Sequence, residues 1–294
     1  MNIGRPRPGQ NSCVTLVATC GRFEMLREVS LPSIRAQACP PVFAVIVTDG
    51  FIASAERIHE WKSCLGNIEL KVLPNRRTQG VAGAWNTGLE YLLGMPFEGY
   101  VAILDDDDIW DSNHLEENLR TAAGHEAEVV ISGLRMAIDG APIPRKLIRA
   151  VSKSDFLMGN PGWQGSNTFV TLNSLAKVGG FRDGLQSLND RDLAIRILRM
   201  PNVRIAFTGK WTATWNVAAN RPSLSKPRSE AKLRGLRQFW QIYADEMEKV
   251  ESESFFDRAE ALFGFHHSEI HCDKPEIPVT ISKLGDLVTS FNER

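Results

Sequence analysis

Short, unbroken apolar runs alternate with longer amphipathic stretches over the first hundred residues. "CVTLVA" (13–18), "VFAVIV" (42–47), "IELKVL" (68–73) and "GYVAIL" (99–104) are dense in β-branched and apolar residues, and each leads into polar or turn-forming positions. Runs of this kind, without a strict in-out alternation, predict strands buried on both faces, as in a mainly parallel sheet covered by helices. Between them, 22–38, 53–65 and 80–94 carry helical periodicity, and Pro32 must kink or divide the first. The second half is less regular. "EVVISGLRMAIDGAPIPRKLI" (128–148) predicts a strand pair around the turn Asp139-Gly140. "SNTFVTLNSLAKVGGF" (166–181) runs from a strand to a short helix, and 189–200 is an amphipathic helix with Leu193, Ile197 and Met200 on one face. "VRIAF" and "KWTATWNV" predict two more strands, and helices packed as a C-terminal appendage follow from 228 to 294. Residues 1–11 read as a flexible N-terminus.

In an open parallel sheet, ligands bind in the crevice beyond the carboxyl ends of the strands. Both "VTDG" (47–50) and "LDDDD" (104–108) fall at such ends. Two carboxylates 4–6 Å apart repel by about 3–4 kcal/mol at an effective dielectric near 20. Four in a row must therefore stay partly protonated or be completed by a cation. Strand alternation turns Asp105 and Asp107 the same way, with Asp108 where the strand gives way to a loop. Hard oxygen ligands of this kind suit Mg²⁺ or Mn²⁺, held by one or two carboxylates together with substrate phosphates. Asp108 or Asp111 would serve equally as a cap for the helix near 112–124.

Composition narrows the partners. The 294 residues carry 34 basic and 35 acidic side chains, a net charge of −1. No basic field is present to hold a phosphate backbone, so nucleic acid is not an expected partner. Five cysteines without a C-x-x-C pair suit a reducing compartment. The start "MNIGRPRPGQNS" has no apolar segment behind it, and the apolar runs are too short to span a bilayer. The expectation is a cytoplasmic protein with no transmembrane segment. A homo-oligomer is left open.

Six segments, in order, give the chain a family likeness. "VTLVATCGR" (14–22) is similar to a first strand followed by P-T-Y-N-R, with Ala18, Cys20 and Gly21 departing from it. "VIVTDG" (45–50) is similar to V-D-D-G, and "GVAGAWNTGL" (80–89) to G-x-x-x-A-R-N-x-G. "AILDDDDIW" (102–110) carries D-x-D, "KVGGFRDGL" (177–185) matches V-G-G-F-D-E, and "NDRDLAIRI" (189–197) matches E-D-x-D-L-x-x-R. Over about residues 13–225 the sequence resembles the family 2 glycosyltransferases, nucleotide-sugar-dependent enzymes of the GT-A fold. The resemblance implies an α/β protein with a Rossmann-like, mainly parallel sheet flanked by helices. It divides a domain at 12–227 into a nucleotide-binding half, about 12–110, and an acceptor half, about 111–227.

It also implies roles. Asp49 and the turn at Ala18 and Thr19 would hold the nucleobase of a nucleotide sugar, a UDP-sugar first. Asn86, Asp105, Asp106 and Arg221 would contact the rest of the donor, with Asp105 near the ribose or the metal. Asp107, joined by Asp108, would bind the divalent cation that offsets the charge of the leaving diphosphate. Asp190 would deprotonate an acceptor hydroxyl as it attacks the anomeric carbon, a single displacement that inverts configuration. Trp163, Asn189 and Asp192 enter as acceptor contacts, although Asp192 also has the i,i+4 spacing to pair with Arg196, and a tryptophan such as Trp163 is more often core. Arg221, Ser223 and Ser225 would belong to a lid over the phosphates.

Three departures keep other readings open. Asn189 replaces the glutamate before the base, Trp85 replaces an arginine, and no histidine lies between His125 and His266 to serve as an added metal ligand. A helix start would also lower the pKa of Asp190, where a base works better with a raised one. A non-catalytic nucleotide- or sugar-binding protein of the same fold is the alternative, and a haloacid-dehalogenase-type phosphatase a further one. His266, His267 and His271 include a helical i,i+4 pair, a pattern that suits a solvated helix face as well as a metal.

Overall fold

A computed structural model describes residues 12–138, 140–217, 226–271, 279–281 and 284. The N-terminal stretch 1–11, the lid residues Arg221, Ser223 and Ser225, and Cys272 lie outside the described residues, as does Asp139 of the expected turn. The chain opens with β1 (Cys13–Thr19), α1 (Phe23–Met25), a five-residue π-helical turn (Leu26–Ser30) and α2 (Leu31–Arg35). Pro32 sits in the first turn of α2, where its missing N–H costs no bond, so the stretch is divided where the sequence requires. Then come β2 (Phe43–Thr48), α3 (Ala55–Leu65), β3 (Glu69–Pro74), α4 (Val81–Leu93), β4 (Tyr100–Asp105), β5 (Ile109–Trp110) and α5 (His114–His125). The second half holds β6 (Val129–Ile138), β7 (Ala141–Pro144), α6 (Lys153–Met158), β8 (Thr168–Thr171), α7 (Leu172–Lys177), β9 (Arg182–Asp183), α8 (Asn189–Leu198) and β10 (Ile205–Val217). The C-terminal region is α9 (Glu230–Tyr243), α10 (Lys249–Phe263), α11 (His267–Ile270) and β11 (Thr280–Ile281).

The large sheet runs β3-β2-β1-β4-β8-β6-β10-β5, with β7 paired to β6. Its first four strands are parallel, as their apolar runs predict. β8 runs antiparallel to both β4 and β6, so the sheet as a whole is mixed. The two strands expected at "VRIAF" and "KWTATWNV" are one, β10, parallel to β6 and bulged between Phe207 and Ala213. Gly209, with φ +66°, and its polar neighbours make the middle of β10 read as a turn.

Residues alternate between the two faces of the sheet. Val14, Leu16, Val45, Val101 and Ile103 pack with α4 and α8 on one face, while Cys13, Val17, Ala44, Ile46 and Leu104 pack with α2, α3 and α5 on the other. Leu236, Phe239, Tyr243 and Phe255 of α9 and α10 join the first of these clusters, so the C-terminal helices share the core of the sheet domain. Cys13, Cys20, Cys39 and Cys64 are free thiols. No described helix is long and apolar enough to cross a membrane.

Candidate active site

β4 delivers the acidic run to the carboxyl edge of the sheet, where Asp108 N–H donates to Asp105 O (3.2 Å) and closes a tight turn. Ser30, on the π-helical turn, donates from Oγ to the carbonyls of Asp105 (3.2 Å) and Asp108 (3.1 Å). Ser166 Oγ accepts from Asp105 N–H (3.1 Å) and donates to Asp108 Oδ2 (2.5 Å). From β10, Asn216 N–H donates to Asp108 Oδ1 (3.0 Å), and Asn216 Nδ2 donates to Asp107 O (2.7 Å). Both oxygens of Asp108 are thus engaged inside the protein, while Asp107 keeps partial exposure. The Asp105 carboxylate lies against Gly165, where a Cβ would stand 3.1 Å from Oδ1. A larger residue there would press on the carboxylate.

Arg22 supplies the counter-charge. Its Nε stands 2.9 Å from Asp106 Oδ1, and its Nη1 bonds Asp107 Oδ2. Asp106 is 1% exposed, so this ion pair is withdrawn from water on the carboxylate side. Burial, then Asp107, Asp106 and Asp190, push Asp105 up to about 7 against the pull of Arg22. Burial pushes Asp106 up to about 6, again against Arg22. Burial and the neighbouring Asp105 and Asp107 also hold Asp108 well above the usual carboxylate range. One guanidinium and the raised carboxyls together lessen the repulsion within the acidic run. Among the described residues no three His, Cys, Asp or Glu side chains converge as a complete metal-ligand set. The partly open carboxylate of Asp107, with Asp105 beside it, fits a hard cation that takes its other ligands from substrate phosphate and water. His267 and His271 stack with ring centroids 5.4 Å apart at the C-terminal end of the described helices.

Asp190 faces this corner from α8. Asn160 Nδ2 donates to its Oδ2 (2.7 Å), and Arg191 N–H donates to its Oδ1 (2.9 Å). Asn160 is itself fixed: its Oδ1 accepts from the N–H groups of Gly162 (2.8 Å) and Trp163 (2.9 Å), side-chain turn chemistry suited to "NPGW". Burial pushes the Asp190 carboxyl up, and the Arg191 N–H and the charges of Lys232 and Arg191 only partly oppose it. Burial thus outweighs the helix start that the sequence suggests would lower it.

Other expected contacts are placed differently. Asp49 Oδ1 accepts from Asn75 Nδ2 (2.7 Å), and its Oδ2 accepts from Gly80 N–H (2.9 Å). Gly80, at φ +128°, turns the chain into α4, so Asp49 ties the loop after β3 to the carboxyl edge of β2. Ala18 and Thr19 lie beside it at the end of β1, in register with Val47 and Thr48. Asn86 is fully buried, bonded to Phe181 O (2.7 Å), Asp183 Oδ1 (2.9 Å) and Phe181 N–H (2.8 Å), so it clamps the turn before β9 and is no donor contact. Trp163 is 1% exposed, with Nε1–H on Thr168 Oγ1 (2.9 Å), and belongs to the core rather than to an acceptor surface. Asp192 is 0% exposed. It accepts from Arg182 Nε (2.8 Å), Arg196 Nε (2.9 Å) and Tyr243 Oη (2.7 Å), and is a structural hub of α8 and α9 instead of an acceptor contact. Asn189, beside Asp190, has a buried Oδ1 without a partner. Trp85 packs on Phe181 at 4.5 Å and reaches the Gly165 side of Asp105.

Ser30, Asn160, Ser166 and Asn216 escape the sequence reading, and Arg22 is visible only as the last letter of the first motif. The "NPG" turn is the one local signal for Asn160; the others act through contacts 58 to 109 residues away.

Comparison with known proteins gives the family and the fold. The sequence model described as Glycosyl transferase family 2 matches residues 15–198. No curated protein matches the chain. Among solved structures, residues 1–349 of S. aureus TarS in complex with UDP-GlcNAc superpose with a TM-score of 0.62 at 16% identity, over 87% of this chain and 74% of that one. The mannosyltransferase PcManGT from Pyrobaculum calidifontis, in complex with GDP-Man and Mn²⁺, gives 0.55 at 15% identity, over 85% and 69%. The shared fold is GT-A.

Proposed function

The chain belongs to glycosyl transferase family 2 and is a nucleotide-sugar-dependent glycosyltransferase, and from that premise we propose a metal-assisted transfer, with inversion, from a UDP-sugar to an acceptor hydroxyl. The observation that carries the proposal is Asp190, held by Asn160 and close enough to Asp105 to help raise that carboxyl. The phosphatase alternative falls with the family assignment.

The acceptor oxygen attacks the anomeric carbon, forming one C–O bond while the bond from that carbon to the diphosphate oxygen breaks. The acceptor proton passes to Asp190, whose buried carboxyl is a stronger base than a solvated one. Asp49, with Ala18 and Thr19 beneath, receives the nucleobase; each Asp49 oxygen retains a lone pair for a ring N–H. Asp107, with Asp105, would hold Mg²⁺ or Mn²⁺, and Arg22 adds a second positive charge at the same corner. When bound, the cation supplies charge that offsets the departing nucleoside diphosphate. Asp108 keeps the acidic turn in shape through Ser166 and Asn216. The UDP complexes of TarS support UDP as the first nucleotide to test, and the GDP-Man and Mn²⁺ complex of PcManGT supports a metal and makes GDP the second.

Calorimetric titration of UDP with and without Mn²⁺ tests this reading in the wild-type chain and in Asp107→Ala. Metal-dependent binding that the variant loses, with its circular dichroism unchanged, is expected. Equal binding by the variant, or failure of UDP, GDP and dTDP alike to bind the wild type, overturns it.

A further inference from the structure

Around Asp190 the sign of the charge reverses. Arg145 lies in the stretch after β7, Lys232 on α9 and Arg258 on α10. The Arg258 guanidinium crosses Gly159, where a Cβ would stand 3.2 Å from Nε. Gly159 immediately precedes Asn160, the residue that holds Asp190. Lys232 is 4% exposed, its Nζ 4.5 Å over the Phe263 ring. Arg145 Nη1 is buried and has no hydrogen-bond partner.

Arg258 lies close enough to feel Arg145, Lys232 to feel Arg258 and Asp190, and Arg145 to feel Asp190. Burial and Arg145 press Arg258 below the ordinary guanidinium range, and burial presses Arg145 the same way against the pull of Asp190. Burial brings Lys232 down to about 8, with Asp190 opposing and Arg191 and Arg258 adding to the fall. Arg191 is a different case. Its Nε and Nη2 donate to Phe156 O (2.7 Å) and Leu157 O (2.6 Å), and it stacks on Phe239, so the fold itself consumes its bonding capacity. Among the described residues, Arg145, Lys232 and Arg258 have no carboxylate within ion-pair distance.

Cations withdrawn from water cost several kcal/mol apiece unless an anion completes them. Asp190 is one negative charge against three, and it is the group assigned to take a proton. The donor diphosphate has its own counter-charges in Arg22 and the cation site at the acidic corner. We propose that Arg145, Lys232 and Arg258 form an acceptor subsite for a phosphate ester, holding a phosphate-bearing acceptor with its hydroxyl toward Asp190. Two guanidinium groups and an ammonium offer more N–H donors than a carboxylate can use, and a tetrahedral dianion matches them better. The subsite deepens the transfer reading above and rests on Asp190 as its base.

The test titrates two probes, glycerol 3-phosphate and UDP with Mn²⁺, into the full chain and into Arg145→Met and Arg258→Met, both at half-buried positions that can be truncated without opening the core. Each substitution is expected to weaken glycerol 3-phosphate about tenfold or more, the effect of losing a charged hydrogen bond, and to leave UDP binding within about twofold. Weakened UDP with unchanged glycerol 3-phosphate would assign the cluster to the donor diphosphate and overturn the proposal. No glycerol 3-phosphate binding by the wild type, or binding insensitive to both substitutions, overturns it as well. Failure of the donor reading shows separately, as a wild type that binds no nucleotide. Glycerol 3-phosphate binding lost in Arg258→Met would then keep the anion site and remove its role in acceptor choice.

Discussion

Arg22 and Asp106 meet across 84 residues of chain order, with Nε 2.9 Å from Oδ1, while the same guanidinium reaches Asp107. A fixed side-chain cation therefore stands where the carboxylate pattern calls for a metal. Burial opposes its charge, and Asp106, Asp107 and Asp105 more than restore it. Arg22 and a divalent ion compete for the same oxygens. Arg22→Met should bind Mn²⁺ in the absence of nucleotide about 10²–10³-fold more tightly than the wild type, since one unit charge a few ångströms away is worth roughly 3–4 kcal/mol at an effective dielectric near 20. Calorimetry with MnCl₂ alone reads this. Unchanged or weaker binding would mean that the ion sits elsewhere.

Asp190→Asn keeps the bond to Asn160 and removes the base. Turnover should fall by a factor of about 10²–10⁴, with donor affinity unchanged. Because burial raises the Asp190 carboxyl, the acid limb of kcat/KM in the wild type should lie above the ordinary aspartate range. A pH–rate profile measures both. A limb near pH 4 would remove Asp190 from the proton transfer.

The acidic corner also gives stability a pH dependence. Asp105 and Asp106 reach about 7 and about 6 in the folded chain, above the usual carboxylate value of about 3.9. Between about pH 4 and pH 7 the folded state thus holds more protons than the unfolded one, so stability falls as pH rises through that window. Melting in EDTA should show a lower Tm at pH 8 than at pH 5, and Mn²⁺ should recover part of the loss at pH 8. A Tm that rises with pH over that range would show these carboxylates ionised throughout.

Asp192→Ala is expected to act on the fold. It leaves Arg182 and Arg196 without the carboxylate that pairs them and Tyr243 without its acceptor, a buried break that costs about 3–5 kcal/mol. Tyr243→Phe removes one bond and should cost about 1–3 kcal/mol. Denaturant titration separates the two. Equal stabilities would mean that Asp192 holds nothing together.

The residues that the sequence made legible are those whose meaning is local. Apolar runs found the four parallel strands, and the i,i+4 spacing found the Asp192–Arg196 pair. Asp105 and Asp107 stood out because four like charges at a strand end require an explanation. Asn86 misled because a motif position names a residue and not its surroundings: its partners Phe181 and Asp183 come from the turn and strand after α7, while Trp163 is core, the commoner place for a tryptophan. The direction of the Asp190 shift was hidden for the same reason. A helix start is written in neighbouring letters, whereas burial is decided by α6, α9 and the 159–163 turn. β10 was split in two because its bulge carries turn residues while its ladder with β6 does not show in sequence.

The pairing of β5 with β10 sets Ile109 beside Thr214 and Trp110 beside Ala213. On a ribosome the acidic turn emerges about a hundred residues before the strand that locks it, and before Asn216 can reach Asp107 and Asp108. Until then its carboxylates remain hydrated and ionised, repelling one another at little cost in water. The bonds from Asn216 wait for β10, so the turn is not fully held until that strand is made. Pairing of β5 with β10 is the step that fixes the acidic turn, and slow β10 docking would appear on refolding as a fixed turn that lags behind helix formation.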